Sequence, residues 1–388
     1  MLITSKPIHV LHLISSLEVG GAEKLLLALL NASKSRLDIN YSVLVMNSQV
    51  DETLRQELLQ LNIPVYFMNR PLSHKHPKYL FWLLKIIRQR QINIIHTHDP
   101  GSKLLASLCK PLALGLKVLY TFHDTIEIPN INRRNLLLHK HVLDHHIAIS
   151  QSVLDQCQKA DIVNVRCIYN GIDLFPFDKV EKEKSYCGQV PLRIVQVSRF
   201  ETAKKGQDTL LEALRLCVQS NMDVRCRLVG NTTSTTEPML ASLRQLVREL
   251  DLEDRVEFVV NRTDIPQQLS DQHLFVLPSR YEGFGLVVIE AMASGLPVIA
   301  SDIDGPREII QDGRNGFLFS PNTPQTLFEK IKAVYFKPDI IKEIIHQGFQ
   351  TAQQYDIAIM ADSYANLYQE MIDGRDGTVK NHQKAAVL

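Results

Sequence analysis

A chain that contains the run Pro278-Ser-Arg-Tyr-Glu282-Gly-Phe-Gly-Leu-Val-Val-Ile-Glu290-Ala-Met-Ala-Ser-Gly295-Leu-Pro297-Val-Ile-Ala300 has few ways to fold. The apolar residues His273 to Leu277 precede it and Pro278 ends them, which suits a short buried parallel strand. Gly283 and Gly285 make a flexible turn, Leu286 to Ala293 reads as a helix, and Gly295 with Pro297 stops it before the next strand. A glycine turn that opens a helix presents unbonded peptide N–H groups and the positive end of the helix dipole, so it suits phosphate. Glu282 lies on the turn, and Glu290 follows about two helical turns later on nearly the same face. A carboxylate there accepts hydrogen bonds from sugar hydroxyls, one on a transferred sugar and one on a ribose. The same pattern also fits an ordinary βαβ unit whose two glutamates are simply solvated.

The remaining periodicity predicts more of the same. Strand-like segments at 8–13, 41–46, 65–67, 92–97, 117–122 and 146–149 alternate with helical ones at 23–32, 78–90 and 152–157, which points to a doubly wound parallel sheet. The pattern fades over 171–188 into the charged run Asp178-Lys-Val-Glu-Lys-Glu-Lys184, which reads as a linker. Alternation resumes at 192–197, 224–228, 256–259, 273–277 and 297–301, and an amphipathic helix is expected over 356–371. The predicted domains are therefore 1–180, 181–355, a terminal helix 356–372 and a frayed polar tail 373–388. A length of 388 residues accommodates two domains of ordinary size.

Composition removes other classes. No stretch approaches the length of a transmembrane helix and the first residues lack a signal-peptide layout, so a cytoplasmic protein is expected. The six cysteines show no Cys-x-x-Cys spacing and are expected to be reduced thiols. Net charge is only +1, but residues 1–180 carry 20 Lys and Arg against 14 Asp and Glu, and the remainder 23 against 28. That asymmetry suits a first domain facing an anionic acceptor or the inner face of the plasma membrane. The mixed apolar and basic segment Tyr79–Arg90 could dock on such a surface, although a core-packed helix with a basic end is the plainer reading.

Four further loops follow predicted strands. Gly20-Gly21-Ala-Glu23 precedes a helix and lacks the Gly-x-Gly-x-x-Gly dinucleotide pattern, which argues against a dehydrogenase. His96-Thr-His98-Asp99 ends a strand; capping or polar lining suits it better than a metal site, and no other histidine has a complete ligand pattern. His123 stands at the polar tip Thr121-Phe-His123-Asp124, where it could meet a sugar hydroxyl or a backbone carbonyl. Arg199 leaves a strand and Lys205 precedes Gly206, so two cations that converge there would offset a diphosphate. Asp302-Ile-Asp304 reads as structural, with Asp304 as a helix cap, and Asn170-Gly171 as a turn with positive φ.

Glu-x7-Glu around Gly-Phe-Gly, followed by Ala-x-Ala-x-Gly-x-Pro-Val, closely resembles the signature of family 4 retaining glycosyltransferases of the GT-B fold. The Gly-Gly-Ala-Glu loop, the Thr-x-His-Asp tip, Asn-Gly-Ile-Asp at 170–173 and Arg199-x5-Lys205-Gly206 resemble its other motifs in order. Ser198 stands where the family usually has Gly, and Asn231 and Asn261 depart from its nucleotide loops. The resemblance implies two Rossmann-like domains facing across a cleft and a terminal helix that returns to the first domain. It implies transfer of a sugar from a nucleotide diphosphate-sugar, UDP before GDP, to an acceptor hydroxyl of a saccharide or glycolipid in cell-envelope synthesis. Configuration would be retained, with no cofactor, metal or nucleic acid. Arg199, Lys205, Glu282 and His123 would be catalytic. Gly20, Gly21, Gly283, Phe284, Gly285, Leu286, Glu290, Arg262 and Ile265 would bind the donor. The alternatives are a GT-B nucleotide-sugar epimerase and a non-catalytic nucleotide-sugar binder.

Overall fold

The structure is a computed structural model that describes residues 7–18, 20–72, 74–178, 191–232 and 236–374. The expected linker at 171–188 lies partly outside these residues, as do Cys187 and nearly all of the expected tail. Contacts divide the chain into two units, Met1–Tyr169 with Ile357–Leu388 and Asn170–Asp356.

The first unit holds a sheet of β1 (Ile8–Ile14), β2 (Ile39–Asn47), β3 (Val65–Arg70), β4 (Ile94–Thr97), β5 (Lys117–Phe122), β6 (His145–Ala148) and β7 (Val165–Cys167). Its order is β3-β2-β1-β4-β5-β6-β7, and every pairing is parallel. The second unit repeats the scheme with β8 (Leu192–Val197), β9 (Val224–Gly230), β10 (Val256–Val260), β11 (Leu274–Leu277), β12 (Val298–Ser301) and β13 (Phe317–Phe319), in the order β10-β9-β8-β11-β12-β13. In each sheet the strand order reverses once, between β1 and β4 and between β8 and β11. Loops at the carboxyl ends of those strands splay apart and leave room for a ligand.

Burial explains why these segments are strands. Val10, Leu11, Leu13, Val43 and Leu44 are fully buried in the first sheet, and Leu192, Ile194, Leu274 and Val276 in the second, as covered parallel sheets require. Strands β7 and β13, three residues each, were too short to show a period. Helix Lys78–Gln89 buries Tyr79, Leu83, Leu84, Ile86 and Ile87, the core-packed arrangement. Helix Ile357–Asp373 packs on helix Gly21–Ala32 and β1, and Asp362 and Glu370 pair with Arg36 and Arg166 at 2.5 Å each. The five cysteines among the described residues are free.

Two local expectations are corrected. Neither Asn170 nor Gly171 has positive φ; next to them Ile172 N donates to Tyr355 O at 2.9 Å, and Ile172 forms a parallel bridge with Asp356. Asp304 is the first residue of helix Asp304–Ile309, whose cap position is Ile303. Its carboxylate favours the helix dipole without capping the helix.

Candidate active site

In the second unit the loops after β8 and β11 meet at the strand-order reversal. Lys205 Nζ donates to Glu282 Oε2 at 2.7 Å, and Ser279 Oγ donates to the same oxygen at 3.3 Å. Both charged side chains are more than four-fifths buried, so the pair is screened less than a surface one. Gly206 makes this approach possible. Its φ is +64°, and a Cβ there would stand 2.0 Å from Pro278 O, so a side chain would force the two loops apart.

Buried amides lock the Lys205 loop from below. Gln196 Nε2 donates to Lys205 O at 2.9 Å and to Ser198 Oγ at 3.1 Å; Gln207 Nε2 donates to Arg199 O at 2.8 Å and to Ser198 Oγ at 3.1 Å. The serine at the position where the family usually has Gly thus joins both glutamines. Arg280 completes the lock: its guanidinium donates to both oxygens of Asp208 at 2.9 and 2.8 Å and to Thr202 O at 2.6 Å, while its N–H donates to Lys204 O at 2.8 Å. Such forked charge-assisted bonds fix geometry as well as add stability.

Beyond Glu282, Phe284 is buried and Gly285 takes φ +104° as the N-cap of helix Leu286–Ala293. No side chain caps that helix; Val288 N donates to Gly285 O at 2.9 Å, and a helix start of this kind suits an anion. Glu290 lies on this helix, half-buried, as is Leu286. Arg199 is 58% exposed and 3.8 Å from Glu201; each of the two expected diphosphate cations therefore has its own carboxylate. Arg262 forks onto Asp264 at 2.7 and 2.6 Å from an exposed position. Ile265 begins a short helix, half-buried. Asn261 takes φ +57°, a left-handed conformation that Asn tolerates, which accounts for its presence where the family has Gly.

The first unit is built differently at its own reversal. Asp99 caps helix Pro100–Cys109, accepting from Gly101 and Ser102 N at 2.9 Å each. It also accepts from Ser15 N at 2.8 Å and from the Ser15 hydroxyl, and so ties the ends of β1 and β4 together. Behind it lies a line of imidazoles. His12 Nδ1 and His98 Nε2 are 3.0 Å apart, and His98 Nδ1 and His123 Nε2 3.4 Å. His96 meets Tyr368 Oη and Thr121 Oγ1, each at 2.7 Å. Burial pushes His12 down to about 3 and His123 to about 4, the latter opposed by Asp99. Burial, then neighbouring imidazoles, hold His96 and His98 well below the usual range. All four rings are neutral at pH 7. Gly20 is the extended N-cap of helix Gly21–Ala32, and a Cβ on it would meet the Glu23 carboxylate at 2.3 Å; Gly21 is open.

Of the expected site residues, Lys205, Glu282, Gly283, Phe284 and Gly285 form one assembly in the second unit. Gly20, Gly21 and His123 belong to the first unit. Sequence reasoning missed Gln196, Gln207, Asp208 and Arg280. A glutamine inside the apolar strand Ile194-Val-Gln-Val was a usable signal; the Asp208–Arg280 fork, 72 residues apart, left none.

Two Rossmann-like units with their polar loops at the strand-order reversals define the GT-B architecture. Comparison with known proteins agrees. The model of Glycosyl transferases group 1 matches residues 180–350, and that of Glycosyltransferase Family 4 matches residues 19–174. The chain belongs to this family of GT-B glycosyltransferases. It is similar to N-acetyl-alpha-D-glucosaminyl L-malate synthase of Bacillus anthracis, 27% identical over 61% of this chain; the match spans less than two thirds, 63%, of that protein. It is 32% identical to the lipopolysaccharide core biosynthesis mannosyltransferase LpsB of Rhizobium meliloti over 53% of this chain and 60% of LpsB. Among solved structures it resembles HepE of Anabaena in complex with UDP-glucose, with a TM-score of 0.78 and 25% identity over 93% of this chain and 99% of HepE.

Proposed function

We propose that this protein transfers a sugar from a nucleotide diphosphate-sugar, with retention of configuration, to the hydroxyl of a saccharide or glycolipid acceptor in cell-envelope synthesis. The observation that carries this reading is the Lys205–Glu282 pair beside the uncapped helix at Gly285. A diphosphate arriving at the first-turn amides competes with Glu282 for the Lys205 ammonium. One anion replaces another, so the lysine never stands alone at low dielectric. Glu282, released, turns its carboxylate to a hydroxyl of the transferred sugar.

As the glycosidic bond lengthens, negative charge grows on the departing phosphate. Lys205, Arg199 and the amides about Gly283–Leu286 stabilise it more in the transition state than in the ground state. The departing oxygen takes the acceptor proton on the same face of the sugar. No side chain need act as a nucleophile, and these cations supply the charge that a metal would otherwise supply. His123, neutral, donates or accepts one hydrogen bond to the sugar without competing for the phosphate. Glu290 holds the ribose, Arg262 and Ile265 flank the base, and the family resemblance gives Gly20 and Gly21 a part in donor binding. UDP is favoured over GDP because HepE, which this chain resembles over nearly its full length, was solved with UDP-glucose. The excess of basic residues in 1–180 suits an anionic acceptor or peripheral contact with an anionic membrane; among the described residues no helix is long and apolar enough to cross one.

Thermal shift against UDP, GDP and ADP identifies the base, and nucleotide release is then followed with acceptor panels. Release that needs acceptor and survives EDTA is the expected result. Release or sugar isomerisation without acceptor would instead mark an epimerase, and binding without turnover on any acceptor a non-catalytic binder.

A further inference from the structure

The first unit gathers imidazoles that the transfer chemistry leaves largely unused. His12, His96 and His98 each bring one ring nitrogen to within 4.8 Å of the other two. They come from β1, from β4 and from the residue just after β4, and they meet at the reversal of the first sheet. His12 and His96 are fully buried; His98 is half-buried and gives access from solvent.

The 3.0 Å separation of His12 Nδ1 and His98 Nε2 is informative. Two neutral imidazoles so placed share one proton. A zinc ion at ~2.0–2.1 Å from each nitrogen in tetrahedral geometry sets them ~3.3 Å apart, a shift of a few tenths of an ångström. His96 stacks on His98 at 4.2 Å between ring centroids. Its two nitrogens meet the hydroxyls of Thr121 and Tyr368. It can yield one nitrogen to a metal and keep the other hydroxyl as an outer partner, the arrangement that orients metal-bound imidazoles. Asp99, next to His98 in the chain and held by Ser15, supplies negative charge nearby.

We propose that His12, His96 and His98 form a binding site for a transition-metal dication of the Zn2+ and Co2+ class, with water in the fourth position. Three nitrogen ligands favour such ions over Mg2+ or Ca2+, which prefer oxygen. The proposal does not rest on the transfer reading and stands or falls without it.

The test uses the full chain without a polyhistidine tag, stripped with chelator and titrated with Co2+ by absorbance and then with Zn2+. One equivalent with a tetrahedral Co2+ spectrum is expected, displaced by Zn2+ and unaffected by millimolar Mg2+. His12→Gln and His98→Gln should each weaken binding at least tenfold, while His346→Gln, an exposed control in the second unit, leaves it unchanged. Circular dichroism of the stripped variants reports folding. Where His12→Gln fails to fold, ring-nitrogen NMR shifts of the unmodified protein on adding Zn2+ identify the ligands directly. Binding that survives both substitutions, an octahedral Co2+ spectrum, no tight equivalent, or shifts confined to exposed histidines such as His74, His76 and His346 would overturn the proposal.

Discussion

The reversal of the second sheet carries charged side chains held in pairs; that of the first sheet carries neutral imidazoles held in a line. Strand order and parallel pairing are alike in the two, so the difference lies in the side chains that strands and loops bring to each reversal. Around β8 and β11, Lys205 meets Glu282 and Arg280 meets Asp208, each within 3 Å. Around β1, β4 and β5, burial removes the charge instead. The fold supplies a place at each reversal; ion pairs line one of them and desolvated rings the other.

Lys205→Ala tests the charged half and should have the largest effect. Turnover is expected to fall ~10²–10³-fold, the loss typical of one transition-state donor, with only a modest fall in the unfolding midpoint. Near-normal turnover would break the comparison, because the pair would then be merely structural. Gly206→Ala comes next. It combines a left-handed φ with a collision against Pro278 O, so a loss of about 2 kcal/mol or more is expected in denaturant titration, together with reduced donor binding.

Lowering the pH probes the other half. His12, His123 and His146, the last also pushed down to about 4 by burial, have folded pKa values below the ordinary 6.5. The unfolded chain therefore takes up protons first as pH falls. Stability from these groups is complete above about pH 6.5 and is lost progressively toward pH 4. Hydrogen exchange at pH 5 should quicken in β1, β4 and β5 before β8 and β11; equal acceleration would show that the contrast is not electrostatic. The smallest effect belongs to Arg262→Ala, whose guanidinium is exposed and bound to Asp264. The unfolding midpoint should not change measurably, and the donor KM should rise about threefold with kcat unchanged, the mark of uniform binding.

The alternation of strands and helices was legible in the sequence because its cause is local. Buried parallel strands need continuous apolar runs, and β5 and β8 begin and end where periodicity alone places them. The turn at Gly283–Gly285 was legible for the same reason, since its form is written in adjacent residues. Where a residue's setting depends on distant partners, reading failed. Asn170-Gly171 has the composition of a left-handed turn, yet neither residue takes positive φ, and the neighbouring Ile172 is bridged to Asp356, far along the chain.

The sequence by itself determined the two α/β units, the glycine turn at Gly283–Gly285 and the candidacy of Lys205, Glu282 and His123. Only the tertiary structure decided that Lys205 meets Glu282 across 77 residues, that Gln196 and Gln207 hold the loop beneath them, and that His12 and Tyr368 join His96 and His98. Periodicity and capping act over a few residues, whereas a pairing across a sheet depends on how the strands are ordered, and no window of sequence records that order.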